Sequence, residues 1–231
     1  MFIDAQLYKT YILYGIFIDL ETVLLKIKRY DMTPVLYKAS LTREPFLFYE
    51  MRTVCRLLEK GMEKTAVVDS VVKKNLFQYP TEKSVRRMAR ACVARAGGLG
   101  TSNLVSVLAH GPVEEAKQVC LYALMKEHRL VLDFMVTVVG EKFRTMDFSW
   151  NTKVAANYLM RLKEQNESVA SWSDSSTKKI RGVLVGLLVE NGYLKNPRAS
   201  KLETVYLYPN LENVIRANGE KNILPAFNCF S

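Results

Sequence analysis

The sequence has few of the residues from which most active sites are made. Two histidines, His110 and His128, are its whole imidazole supply. They lie far apart, and neither falls in a metal-ligand spacing, so no zinc or other metal site is expected. Four cysteines, Cys55, Cys92, Cys120 and Cys229, share no CxxC spacing. The first three fall on apolar helical faces, as buried reduced thiols in a cytoplasmic protein would. GxSxG, HExxH and paired catalytic carboxylates are absent. Gly97-Gly98-Leu99-Gly100-Thr101-Ser102 lacks the lysine of a phosphate loop and follows a helix rather than a strand, so it reads as a helix stop and the next helix's cap. No enzyme activity and no cofactor are expected. The long apolar run, Tyr11 to Leu25, is broken by Asp19 and Glu21 and has no basic stretch before it. It suits neither a membrane span nor a secretory signal. Met32 offers a second start, so residues 1–36 are set aside as an N-terminal extension.

What the sequence does have is positive charge in blocks. The net charge is +10 over 231 residues. Residues 37–96 carry 13 Lys/Arg against 6 Asp/Glu (+7), residues 97–149 carry 5 against 6 (−1), and residues 150–231 carry 11 against 7 (+4). Two basic modules on a neutral middle point to a polyanionic partner, usually nucleic acid.

Apolar periodicity predicts helices nearly throughout. After Pro45 comes the stripe Leu47, Met51, Val54, Cys55, Leu58, and then a helix over 63–74 with Val68, Val71 and Val72 inward. A turn at 75–80 leads to a helix capped by Thr81, with the stripe Val85, Met88, Ala89, Cys92, Val93. Its solvated face carries Lys83, Arg86, Arg87 and Arg90. This order suits a helix-turn-helix. The middle continues with helices over 102–110, from Pro112, and over 130–143. The C-terminal part shows a helix over 152–163, a short one near 169–172, and a longer one with the stripe Ile180, Val183, Leu184, Leu187, Leu188, stopped at Asn191-Gly192. Tyr193-Leu194 and Thr204–Tyr208 read as two strands joined by a basic loop with Lys195, Arg198 and Lys201, the order of a winged helix.

The expected fold is therefore mainly α: two helix-turn-helix or winged-helix-like modules on a helical middle, with a small C-terminal β-hairpin wing. The boundaries are 37–149 and 150–231. The two proposed reader helices align at an offset of 95 residues, Lys83 with Lys178 and Arg86 with Arg181. Ser175, Ser176 and Thr177 place hydroxyls at a helix N-terminus, one of them as its cap, where backbone N–H groups suit phosphate oxygens. Lys178, Lys179 and Arg181 add charge, and arginine's fork can also reach a guanine edge. The basic loop is expected beside the same helix. Double-stranded DNA, held through phosphates, is the leading partner. A protein-interaction scaffold and an RNA binder are the rivals.

Short matches along the chain resemble one family. They are Lys38-Ala39-Ser40-Leu41 with Pro45-Phe46-Leu47, then Asn75-Leu76-Phe77, Ser84 and Arg87, and finally Trp172-Ser173, Ser176-Thr177 and Gly192-Tyr193-Leu194. Over residues 37 to 215 the chain is similar to the BrxA proteins of BREX (bacteriophage exclusion) phage-defence systems; residues 1–31 extend beyond the usual family start. The resemblance implies a small helical, non-enzymatic DNA-binding component without a cofactor, working with other subunits of a defence complex.

Overall fold

The computed structural model describes residues 37–230, which belong to one compact unit; the N-terminal extension lies outside the described residues. Among the described residues there are eleven α-helices, one π-helical stretch and two 3-10 turns. After a 3-10 turn at Ala39–Thr42 come α1 (Phe48–Glu59), α2 (Lys64–Lys73), α3 (Glu82–Gly98), α4 (Ser102–His110) and α5 (Val113–Glu127). Then α6 (Arg129–Phe134) runs through one π-helical stretch, Met135–Gly140, into α7 (Glu141–Arg144). The chain ends with α8 (Thr152–Gln165), α9 (Glu167–Ala170), α10 (Asp174–Glu190), α11 (Pro209–Ala217) and a 3-10 turn at Lys221–Phe227.

Local chemistry places these starts. The Thr81 hydroxyl accepts from Ser84 N at 3.3 Å, and Thr101 accepts from Leu104 N at 3.3 Å. Asn151 and Asn166 cap α8 and α9 in the same way. Each satisfies one of the backbone donors that a helix start leaves open. Gly192, at φ +77, ends α10 in the left-handed region that glycine adopts without a Cβ clash.

Helix α5 is the centre of the molecule. Ala116 and every residue from Val119 to Leu124 are at most 2% exposed, so it is apolar on all sides, as a helix enclosed by others must be. Only its two ends emerge: Val113 and Glu114 are exposed at the start, Lys126 and Glu127 at the finish. Helix α1 packs on α3 and α4, and α2 pairs with α3. The first 3-10 turn lies against α10, and the last one lies against the π-helical stretch. A Cβ on Gly140 would stand 2.8 Å from the Pro225 carbonyl oxygen, so the close approach of that last turn requires glycine. Gly140→Ala gains up to about 1 kcal/mol of helix propensity but forces backbone apart, at a cost of about 1–3 kcal/mol. A net drop in thermal stability is expected, and a variant melting at or above the parent would show that the contact yields freely.

The expected hairpin wing is not formed. Among the described residues there is no strand. One isolated antiparallel bridge joins Ser149 to Lys201, with Trp150 N donating to Ser200 O (2.8 Å) and Leu202 N to Phe148 O (2.7 Å). Only Glu203 N reaches Tyr193 O (2.9 Å) where the hairpin ladder would run. The reason lies in burial. Tyr193 is drawn into the core, its hydroxyl donating to Ala226 O at 2.8 Å, and Leu194 is 1% exposed. Residues 204–208 turn instead toward α5, where Gln118 Nε2 donates to Tyr206 O (2.8 Å) and Gln118 Oε1 accepts from Tyr208 N (3.0 Å).

Candidate nucleic-acid interface

The C-terminal basic residues are spread over the α8–α10 pair. Lys163, near the end of α8, reaches Asp174 at the start of α10 at 3.4 Å, while residues 200–202 bond to 148–150 just before α8. The two helices therefore run antiparallel, and the basic loop lies at the opposite end of α10 from Lys178 and Lys179. From Lys178 to Asn191 is about 20 Å at about 1.5 Å per residue. The loop thus lies about a helix length from the first turns of α10.

At the α10 start, Ala156, Met160, Lys163, Thr177, Lys178 and Arg181 help line an open cleft of about 330 Å³. Lys178 and Lys179 are exposed, Arg181 is half-buried, and none has an ion-pair partner among the described residues. Lys163 was not singled out from the sequence, because its approach to α10 depends on how α8 packs.

The hydroxyl cluster works differently from expectation. Ser173, not one of the next three, caps α10: its Oγ accepts from Ser176 N at 3.2 Å. Ser175 and Ser176 hydroxyls contact Ser173 Oγ, and Thr177 Oγ1 donates to Ser173 O at 3.1 Å. Asp174, fully exposed in the first turn, already complements the positive helix end. A phosphate at the terminal N–H groups would meet that carboxylate. The hydroxyls of Ser175, Ser176 and Thr177 are thus engaged within the first turn, and Lys178, Lys179 and Arg181 follow one turn onward.

In the basic loop, Lys195 is 3.5 Å from Glu203, and the Lys201 amine lies over the Phe148 ring at 5.9 Å. Arg198 is exposed and has no ion-pair partner among the described residues.

The α3 face divides as well. Arg86 is held by Glu82 at 2.7 Å and Asp69 at 3.4 Å, with the Glu82 hydrogen bond chiefly raising its pKa. It is a poor donor to an outside ligand. Arg87 is half-buried, and its Nε is buried without a hydrogen bond. Lys83 and Arg90 are exposed.

One basic residue that the sequence reading passed over is interior. Arg95 is 1% exposed; its Nε lies 2.5 Å from Glu127, Nη1 donates to Pro45 O and Nη2 to Glu44 O, both at 2.7 Å. Its Nη2 is 3.4 Å from Nε2 of His128, a helix-junction residue that is itself buried. Burial would raise the Glu127 carboxyl, but hydrogen bonds from His128 and Arg95 and the guanidinium charge prevail and hold it at about 2. Ligand-type atoms of Glu44, Glu127 and His128 come within 4.8 Å of one another. Arg95 already supplies the cation there. His110 is exposed and pairs with Glu59 at 2.7 Å. Cys55, Cys92 and Cys120 are buried free thiols, pushed up chiefly by burial.

Among the described residues, no helix is long and apolar enough to cross a membrane.

Comparison with known proteins completes the description. Residues 35–219 match the family described as BrxA. A BREX protein BrxA of Bacillus cereus (strain H3081.97) is 34% identical over 186 residues, covering 80% of this chain and 92% of that one. One of Escherichia coli O9:H4 (strain HS) is 30% identical over 185 residues, covering 78% and 84%. The crystal structure of an uncharacterized protein from Magnetospirillum magneticum superposes with a TM-score of 0.69 at 22% identity, covering 83% of this chain and 97% of that one. That last likeness concerns the fold.

Proposed function

The chain belongs to the BrxA family, and from that premise we propose that it is a non-enzymatic, cytoplasmic component of a BREX-type phage-defence complex, binding double-stranded DNA mainly through phosphates. The observation that carries the DNA reading is the set of cations on the α8–α10 layer that lack a carboxylate partner among the described residues: Lys178, Lys179 and Arg181 at one end, Arg198 and Lys201 at the other. Some arginines elsewhere are neutralised within the fold, as at Arg86, Arg129 and Arg216. Leaving these unneutralised favours an external polyanion. Two cationic poles about 20 Å apart suit a duplex, which offers phosphates on both sides of a groove. On this reading α10 acts as the reader helix of a winged-helix-like module, with the loop at 195–201 in the place of a wing.

Salt dependence tests it. With about six phosphates neutralised, affinity for duplex DNA falls by roughly a thousandfold between about 50 and 200 mM salt, nearly independently of sequence. A flat titration overturns the reading in favour of a protein-interaction scaffold. A clear preference for duplex RNA over DNA overturns it in favour of RNA.

A further inference from the structure

Residues 204–208 have the composition of a strand but no strand beside them. Their side chains alternate as a strand's do: Thr204 and Tyr206 are exposed, while Val205 and Leu207 pack against the core. One backbone edge is taken, because the Gln118 amide bonds Tyr206 O and Tyr208 N, the pair a neighbouring strand would use. On the other edge, Glu203 N reaches Tyr193 O, and there the pairing stops. The N–H and C=O groups of Val205 and Leu207 have no hydrogen-bond partner among the described residues. The segment borders a groove of about 600 Å³ lined by 204–209, Val189–Gly192 and, near the start of α5, Glu114, Lys117 and Gln118.

We infer that this groove is a docking site for an extended peptide segment of another protein, which adds as a strand along the Val205–Leu207 edge. Unpaired strand edges are templates for such addition, with main-chain bonds giving affinity and alternate side chains giving specificity. The charge of the groove argues for the occupant. Its charged groups are Glu114, Glu190 and Lys117, an acidic balance that opposes a phosphate backbone and favours a basic peptide. The inference is independent of DNA binding, since the cations assigned to phosphates lie outside the groove lining.

The test uses the full, isotope-labelled chain and a synthetic probe, the peptide Lys-Val-Thr-Val-Thr-Val-Lys. In the protein alone the Val205 and Leu207 amides exchange rapidly with solvent. Millimolar peptide is expected to slow both by about tenfold or more, while the same peptide N-methylated at alternate residues does not. Val205→Pro, which deletes one donor not used by the fold, weakens the peptide effect while the thermal transition is retained. Slow exchange before peptide is added, equal protection by the N-methylated peptide, or no protection at all would each overturn the inference. Protection by a DNA duplex instead would reassign the edge to nucleic acid.

Discussion

Arg95→Ala is expected to lower the unfolding free energy by about 3–5 kcal/mol, because it opens a cavity and leaves two backbone carbonyls and the half-buried Glu127 carboxylate without their donor. Arg95 joins three parts of the chain: the Glu44-Pro45 turn before α1, α3 itself, and the junction of α5 with α6. Its loss leaves Glu127 without its guanidinium and two carbonyls without donors, besides a cavity. Stabilities of about 5–15 kcal/mol are usual for a domain, so the transition should move by many degrees. Arg95→Met restores volume and keeps the stranded carboxylate, so it recovers little. Arg95→Met with Glu127→Gln removes both charges and recovers more, a coupling that a double-mutant cycle reads directly. The pH dependence has a defined sign. Glu127 is depressed in the fold to about 2, against about 4.3 unfolded, so its contribution is present above the unfolded value and is lost as pH falls from about 5 toward 2. Arg95→Met should flatten that limb. Urea denaturation across pH checks both expectations; an Arg95→Ala protein within about half a kcal/mol of the parent would remove the residue from the framework.

Arg95 also shows where sequence reading stopped short. The stripe Val85, Met88, Ala89, Cys92 continues at helical spacing onto 95 and 96, so the rule that places its neighbours also points position 95 inward. Charge argued for solvent, and the partners that make burial tolerable, Glu127 and two carbonyls, lie at least 32 residues away. Likewise the Glu82–Arg86 pair was visible at i, i+4, but the approach of Asp69 from α2 was not. Helices were legible because their signal is local: α4 runs over the expected 102–110, and α3 is capped by Thr81 and ends at Gly98.

The strands were not legible for a complementary reason. Thr204–Tyr208 has residues that fit a pleated, half-buried surface, and it does alternate. Propensity names no partner, and the bonds the segment makes come from Gln118, 88 residues from Tyr206 and 90 from Tyr208. The position of the basic loop relative to α10 followed from the missing ladder. A two-stranded wing would project along the helix; a single bridge to Ser149 holds the loop near the start of α8.

These positions make the charge-removal experiment on α10 specific. With Lys178, Lys179 and Arg181 all changed to Ala, the folded state changes little, since the three heads form no ion pair among the described residues and surface substitutions usually cost under about half a kcal/mol each. Arg181, whose stem lines the α8–α10 cleft, contributes the largest share of that cost. DNA binding should respond strongly. Three lost phosphate contacts lower the salt slope by about 2.7, so the fall between about 50 and 200 mM shrinks from roughly a thousandfold to roughly fortyfold. Leu184→Ala, on the opposite face and fully buried, should act in reverse. It costs about 2–5 kcal/mol through transfer and cavity terms, while the folded fraction keeps the parent's slope. The pair separates stability from binding in a way neither variant does alone. A triple variant with unchanged affinity and unchanged slope removes α10 from the interface and leaves the loop at 195–201 and the α3 face, where Lys83 and Arg90 are exposed, Arg87 is half-buried and Arg86 is held by Glu82 and Asp69. If alanine at Lys195, Arg198 and Lys201, and at Lys83, Arg87 and Arg90, is equally silent, neither basic module meets DNA, and the protein's role in the complex passes to its protein-binding surfaces.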